Sequence, residues 1–382
     1  MPLAFSTLGC PGDSLAQVIA TAHAAGATGL EIRVADGEFA YPGMDGAART
    51  AMARQLGDAG IVVLSVASYV KICAPIDVTA HALGKSDGET LASSAAAAAE
   101  GREGAAADGA PGVARAAAAD GAPDAAADGT PGVARAAVAD GAPDAAAAPS
   151  FGGTATVGDE DDALGAKDPV LADLLAAVEL CAELSAGNAC ARAADTGTSH
   201  TGAQLRVFPG AGLEPCDVGE EPSAELAAAD RLGAQRLNVA AQRARELGVT
   251  ILLETHDSHP RASDILRILA HVDDAAPVKV IWDLMHPWRY DEAPARTAEL
   301  LSDSVAYAQY KDGVRNQGTN TVTLTLPGEG DLPLLDMRDL VAEISAARGI
   351  SDPWVSLEWE RAWHPELPPV AEALDSLTKA LA

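Results

Sequence analysis

Four stretches in the C-terminal half share one design: an apolar run that stops at a hydrogen-bonding or ionisable side chain. "VTILLETHDSHP" (249–260) ends its run at Glu254 and follows it with His256, Asp257 and His259. "VKVIWDLMHPW" ends at Asp283, with His286 three residues on and Trp288 beyond it. "VAYAQYKDG" supplies Gln309, Lys311 and Asp312, and "WVSLEWERAWH" supplies Glu358 and Glu360. Three carboxylates and an amide oxygen gathered at one place repel one another unless a cation neutralises them. Oxygen-only ligation suits Mn²⁺ or Mg²⁺ better than a closed zinc site. Coordination positions left over would take water or a chelating substrate. Any one of these acids alone could simply pair with Arg33 or Arg206. Their recurrence after successive apolar runs is what favours ligation.

To bring such residues together, the runs must be strands that surface at a common face. The chain alternates in that way. "LAFSTL" (3–8), "GLEIRV", "IVVLSVAS" (61–68), "AQLRVF" (203–208), "VTILLE", "VKVIWD", "VAYAQYKD" and "WVSLEWE" read as strands, each followed by a helical pattern. Asp168 and Pro169 mark one helix start, as N-cap and first helical residue. Eight strand–helix repeats imply parallel strands with right-handed crossovers, most simply closed into a (β/α)8 TIM barrel. An open doubly wound sheet is the alternative, but no GxGxxG follows the first strand. In a barrel the C-terminal strand ends converge on one mouth, and the four runs above supply its fifth to eighth strands.

Two segments interrupt the pattern. Residues 84–165 are Ala, Gly, Asp and Pro with few large apolar side chains. Within them "DGAPGVARAAAADGAPDAAA" recurs as "DGTPGVARAAVADGAPDAAA". A 20-residue period is compatible with a solenoid, but each unit offers too little apolar surface to offset backbone ordering. The stretch reads as a low-complexity, disordered insertion after the third strand, and "GNACARAADTGTSHTG" (187–202) as a smaller one. The expected organisation is thus a single domain over 1–382 with two interruptions.

Composition narrows the partners. A formal net charge of −29 repels phosphate backbones and anionic membrane surfaces, so nucleic acid and membrane are not expected. The five cysteines lack CxxC spacing and read as reduced thiols of a cytoplasmic protein. The first residues, "MPLAFSTLGCPGD", resemble no signal peptide, and no run is apolar enough to span a bilayer. No Walker-type loop is present, and the glycines of "LPGEGDLP" sit beside acids, which points to an unphosphorylated substrate.

The phrases "LAFSTLGCPG", "GLEIRVADGE", "LRVFPG", "GVTILLETHD", "VIWDLMHPW", "AQYKDG", "LPGEGDLPL" and "SLEWERAWHPELPP" together resemble the sugar phosphate isomerases/epimerases of the xylose isomerase-like TIM-barrel superfamily. The resemblance spans the chain apart from the two insertions. It implies a divalent metal on Glu254, Asp283, the strand-7 position and Glu358. Where the family has histidine on strand 7, this chain has Gln309, whose harder oxygen favours Mn²⁺ or Mg²⁺ over zinc; Co²⁺ is also compatible. It further implies that Glu254 and Glu358 move a proton and that His286 contacts a substrate oxygen. His256 is a candidate for acid/base or substrate contact, and Lys311 for polarising a substrate oxygen. Glu31 and Arg206 are candidates for substrate contact or for an ion pair with each other. Trp288 and Trp363 are expected to wall the pocket, and Glu360 and Arg361 to lie on its rim. The implied activity is metal-dependent isomerisation or epimerisation of a sugar or polyol ketone through an enediolate. A lyase of the same superfamily, inosose dehydratase-like or C-glycoside-cleaving, is the nearest alternative. An endonuclease-IV-like enzyme needs more histidines at strand ends than the eight in this chain provide, and a binding-only protein would not need both glutamates. Related barrels often dimerise, so a homodimer is a further expectation.

Overall fold

The computed structural model describes residues 1–76, 168–188 and 202–382. The 84–165 segment and residues 189–201 lie outside them. The elements run β1 (Leu3–Ser6), α1 (Leu15–Ala25), β2 (Gly29–Arg33), α2 (Gly46–Asp58), β3 (Val62–Lys71), α3 (Pro169–Leu184), β4 (Ala203–Phe208), α4 (Ala224–Leu247) and β5 (Val249–Glu254). They continue as α5 (Ala262–Leu269), β6 (Val278–Asp283), α6 (Met285–Arg289), α7 (Pro294–Leu301), β7 (Val305–Tyr310), β8 (Asp312–Arg315) and β9 (Val322–Thr325). The chain closes with α8 (Leu334–Ala347), β10 (Val355–Leu357) and α9 (Val370–Ala380). All strands but β8 and β9 pair in parallel into a closed barrel in the order β1-β10-β7-β6-β5-β4-β3-β2. This is the expected (β/α)8 barrel.

Local chemistry sets the boundaries. Ser14 and Gln17 form a reciprocal capping box at the start of α1, and Gly26 ends that helix at φ 70, a left-handed conformation glycine adopts without a Cβ clash. Asp168 caps α3 by accepting from Val170 N and Leu171 N, with Pro169 in the first turn.

Two apolar cores follow from strand alternation. Outward side chains such as Ile251, Leu253, Val280 and Trp282 pack under the helices. Inward ones at the N-terminal end, Ala4, Val62, Leu64, Leu252, Ile281, Tyr307 and Trp354, plug the barrel. Gly29 makes room for that plug, because a Cβ there would lie 2.6 Å from the Trp354 ring. Two residues further along, the same inward face turns polar: Leu252 gives way to Glu254, Ile281 to Asp283 and Tyr307 to Gln309. The plug is therefore the floor on which the polar cluster stands.

Two details depart from expectation. The "AQYKDG" run does not continue as one strand; it breaks at Lys311, and Asp312 opens the antiparallel β8–β9 hairpin. The Asp312 carboxylate accepts from the backbone N–H groups of Gly313, Gly328, Gly330 and Leu332 at 2.8 to 3.2 Å, which folds the "PGEGDL" loop around it. Residues 187 and 188, read from the sequence as the start of the smaller insertion, are packed against the barrel. Asn188 is buried and bonds both the N–H and the C=O of Val63, and Gly187 packs so tightly that a Cβ would lie 2.1 Å from Ala53 O.

Arg236 of α4, fully buried, donates to the carbonyls of Ile72 and Ala74 and to both oxygens of Asp168. It therefore grips the chain on either side of the long interruption between β3 and α3. Among the described residues no helix is long and apolar enough to cross a membrane.

Candidate active site

Glu254 and Asp283 close β5 and β6, and Gln309 is next to last in β7; Asp283 lies directly beside Gln309 in register, and Glu254 beside Ile281. Glu358 follows β10 and its N–H donates to Tyr310 O, which extends the ladder by one rung. Carboxylate oxygens of Glu254, Asp283 and Glu358 all lie within 4.8 Å of one another. All three residues are buried.

Two cations hold these acids together. Arg206, from the end of β4, reaches Glu254 Oε2 at 3.3 Å and Glu358 Oε1 at 3.4 Å. Lys311 Nζ lies 2.8 Å from Asp283 Oδ2 and 2.7 Å from both Glu358 Oε2 and Glu360 Oε1. Glu360, expected on the rim, thus joins the cluster. Burial pushes the Glu254 carboxyl well above the usual range, against the pull of Arg206. Burial acts on Glu358 in the same sense, but Lys311 and Arg206 outweigh it and bring that carboxyl down to about 2. Asp283 is raised by burial to about 7, with Lys311 opposing. Burial would neutralise Lys311, yet Asp283, Glu358 and Glu360 hold its ammonium charged well above the normal range.

Glu31 lies deeper than expected for a residue that touches substrate. Its Oε2 accepts from Tyr307 Oη at 2.8 Å and from Gln309 Nε2 at 2.9 Å, and Ser356 donates to Oε1. That arrangement turns the Gln309 amide nitrogen toward the floor and leaves its Oε1 buried without a partner. No ion pair joins Glu31 to Arg206 among the described residues; the guanidinium turns to the mouth instead.

Histidines form one side of the mouth. Asp283 Oδ1 accepts from Met285 N and His286 N, so the acid caps α6 and fixes His286 above itself. The His286 ring is held neutral, its basicity depressed by burial and then by Arg289, Lys311 and His256. His256 stacks on it edge-on, ring centroids 4.6 Å apart, with Phe208 on its other side at 4.4 Å. Arg206 lies over Phe208 at 4.3 Å, and Tyr69 meets Trp363 edge-to-face at 6.5 Å, which completes an aromatic wall. Trp288 has a partner of its own, Arg315, whose guanidinium covers the ring at 4.4 Å.

The loop carrying His256 is tied down by a network that sequence reading did not find. His259, fully buried, links Ser258 Oγ at 2.9 Å to Asp230 Oδ1 of α4 at 2.6 Å, and Ser258 Oγ accepts from Ala211 N. His256 and His259 exchange backbone hydrogen bonds across the turn, with Asp257 between them at φ 49. Nothing in "THDSHP" marks which histidine faces the mouth, since the turn and not strand alternation decides it. Glu360 did carry a signal, since it lies two residues from the inward Glu358.

The donor set fits a divalent cation. Were all four ionised, Glu254, Asp283, Glu358 and Glu360 would set four negative charges against the two permanent cations among them, Arg206 and Lys311, and burial of Glu254 resists that state. Glu254 Oε1 and Gln309 Oε1 are buried without a hydrogen-bond partner, and Glu254 Oε2 has only the Arg206 guanidinium at 3.3 Å. Buried acceptors in folded proteins nearly always have partners.

Comparisons with known proteins agree with this architecture. Solved structures that share the fold include an L-ribulose 3-epimerase (13% identity, 100% of this chain and 96% of that one, TM-score 0.53). A second is the IolI protein with a bound zinc atom (13%, 100% and 96%, TM-score 0.55). A third is the probable 3-DHS dehydratase AsbF of Bacillus anthracis (11%, 100% and 98%, TM-score 0.51). No curated protein sequence matches the chain. The family model described as xylose isomerase-like TIM barrel matches residues 105–380. With its closed eight-stranded barrel, the chain belongs to the xylose isomerase-like TIM barrel family.

Proposed function

We propose that this protein is a divalent-metal-dependent isomerase or epimerase of a sugar or polyol ketone, working by proton transfer through an enediolate. One observation carries the reading. Two buried glutamates, Glu254 and Glu358, rise from strands three places apart in the ring and are bridged by one guanidinium, Arg206. Such a pair suits removal of a proton from one face of a carbon and its return to the other.

Glu254, Asp283, Gln309 through its amide oxygen, and Glu358 are the residues that would hold the metal, with Mn²⁺ favoured by the oxygen donors. When bound, the ion would polarise a carbonyl and so acidify the neighbouring C–H. Arg206 and Lys311 stabilise negative charge that develops on substrate oxygens, and His286 and His256 bind hydroxyl groups beside them. The wall of Phe208, Tyr69 and Trp363 excludes water from the reacting face. A lyase acting through the same proton abstraction remains the second reading, and the dehydratase among the similar structures is what favours it.

The test is turnover of a panel of ketoses, inososes and C-glycosides with Mn²⁺ in D₂O. Recovered substrate or product should carry deuterium next to the carbonyl. Glu254→Gln and Glu358→Gln should each abolish that exchange, whereas His286→Ala should mainly raise KM. Loss of water or of an aglycone from the labelled substrate would move the assignment to the lyase. Turnover without exchange and without a primary isotope effect would remove proton abstraction altogether.

A further inference from the structure

We infer that Lys71 and Arg289 form a carboxylate-binding subsite at the mouth, so that the ligand of this barrel is a sugar acid. The inference deepens the isomerase reading and rests on it for the keto group; the subsite itself rests on the two cations. The chain has 26 basic against 55 acidic residues, so a basic side chain seldom lacks a partner. Among the described residues, the lysines and arginines with no hydrogen bond and no ion pair are Arg54, Lys71, Arg231 and Arg289. Arg54 and Arg231 are exposed on α2 and α4, where water hydrates them. Lys71 and Arg289 are half-buried, and Arg289 Nε is fully buried without a partner. Taking a charge partly out of water and leaving it unpaired is costly, so two such cations point to an anion that completes them.

The barrel brings both to one stretch of the mouth. Lys71 ends β3 in register with Phe208 at the end of β4. Its stem lies across Gly210, where a Cβ would come within 2.4 Å of Lys71 Cγ, and the left-handed φ of 58 there also favours glycine. Arg289 ends α6, one turn beyond His286, with its guanidinium 5.5 Å from the centre of the Tyr290 ring. The Phe208, His256 and His286 rings form the row between the two elements. Both cations act on Asp257: burial raises its carboxyl, but His256, Lys71 and Arg289 outweigh it and bring it below the ordinary 3.8. Neither pairs with it, since Asp257 Oδ1 lies against His256 Nδ1 at 2.8 Å. The other cations of the mouth are taken, Arg206 and Lys311 by the acids of the cluster and Arg33 by Glu38.

Charge selects the ligand group. Lys71 and Arg289 set two positive charges against one negative charge on Asp257, which leaves one over. A carboxylate carries that single charge, whereas a phosphate ester carries closer to two. An arginine fork holds a carboxylate through two parallel hydrogen bonds, and a lysine adds a point charge beside it. A net charge of −29 repels anions from the molecule as a whole, so an acidic ligand needs local cations where it docks. The ligand would then lie with its keto end at the acids of strands β5 to β10 and its carboxylate between Lys71 and Arg289.

The experiment titrates full-length protein in Mn²⁺ with D-fructuronate, D-fructose and D-fructose 6-phosphate by calorimetry. The three share one ketohexose skeleton and differ at its far end: carboxylate, hydroxyl or phosphate. Wild type should bind the acid at least about tenfold more tightly than the neutral ketose, as charge-assisted hydrogen bonds do. Lys71→Met and Arg289→Met should each cut that preference, the double variant should abolish it, and Arg289→Lys should keep part of it. Added salt should shrink the wild-type preference, a readout that needs no variant to fold. Equal binding of acid and ketose by wild type, or a preference that survives in the double variant, would overturn the subsite. Tightest binding of the phosphate ester would overturn the carboxylate. A retained preference for the acid, with no deuterium exchange on any ketone tested, would overturn the isomerase reading and leave the subsite standing.

Discussion

Lys311 shows how much of this site is a charge balance held in a small volume. Its ammonium serves three carboxylates and is almost fully buried. Removing one member of a buried ion cluster leaves the others uncompensated, at a cost of about 3–5 kcal/mol. Lys311→Met should accordingly melt well below wild type when no divalent ion is present. Excess Mn²⁺ should restore much of the difference, since a cation that binds only the folded state stabilises it. Equal melting of the two proteins in chelator would show that the lysine balances nothing. At this scale the strand ends were the legible part: Glu254, Asp283, Gln309 and Glu358 follow from where apolar runs stop. Glu31 was legible as an inward acid but not as a floor residue, because depth along the barrel depends on register with Gln309 and Tyr307. Register is set by neighbouring strands and is not encoded in either segment alone.

Elements at the mouth are fixed by carboxylates that face away from the chemistry. Asp230 on α4 meets His259 and Arg267. Burial would raise this acid, but the hydrogen bond from His259 and the Arg267 guanidinium win and lower it below the ordinary 3.8. A depressed folded-state value adds stability that is complete above the unfolded value and is lost as pH falls through the folded one. Wild-type melting should therefore drop steeply below pH 3.8, and Asp230→Asn, which lacks the titrating group, should show a shallower drop there from a lower start. Parallel curves for the two proteins would contradict the linkage. The β8–β9 hairpin makes the complementary case. Asp312 gathers four backbone N–H groups, and hydrogen bonds to a charged group are each worth about 1.5–3 kcal/mol. Asp312→Ala should then speed amide exchange at Gly328, Gly330 and Leu332 by orders of magnitude while exchange in β5 changes little. Sequence periodicity located the strands and most helix starts because capping and alternation are local. The hairpin was missed since it exists only where one acid meets a loop sixteen or more residues away.

Across the whole molecule, the barrel order was readable from eight strand–helix repeats, because parallel strands joined by crossovers have few ways to close. What the repeats could not reveal is how closure survives the interruption between β3 and α3. Arg236 answers that, holding Ile72, Ala74 and Asp168 with one guanidinium. Loop-closure cost rises only by about 0.6 kcal/mol per doubling of length. Replacing residues 84–165 with a short Gly/Ser linker should thus leave the melting temperature within a few degrees, whereas Arg236→Met should lower it far more. The grip has a further consequence for covalent continuity. If both flanks are held by α4, the peptide bonds between them are dispensable to the barrel. A chain cut within 84–165 should reassemble from two separately made fragments, one carrying β1 to β3 and the other everything from Asp168 onward.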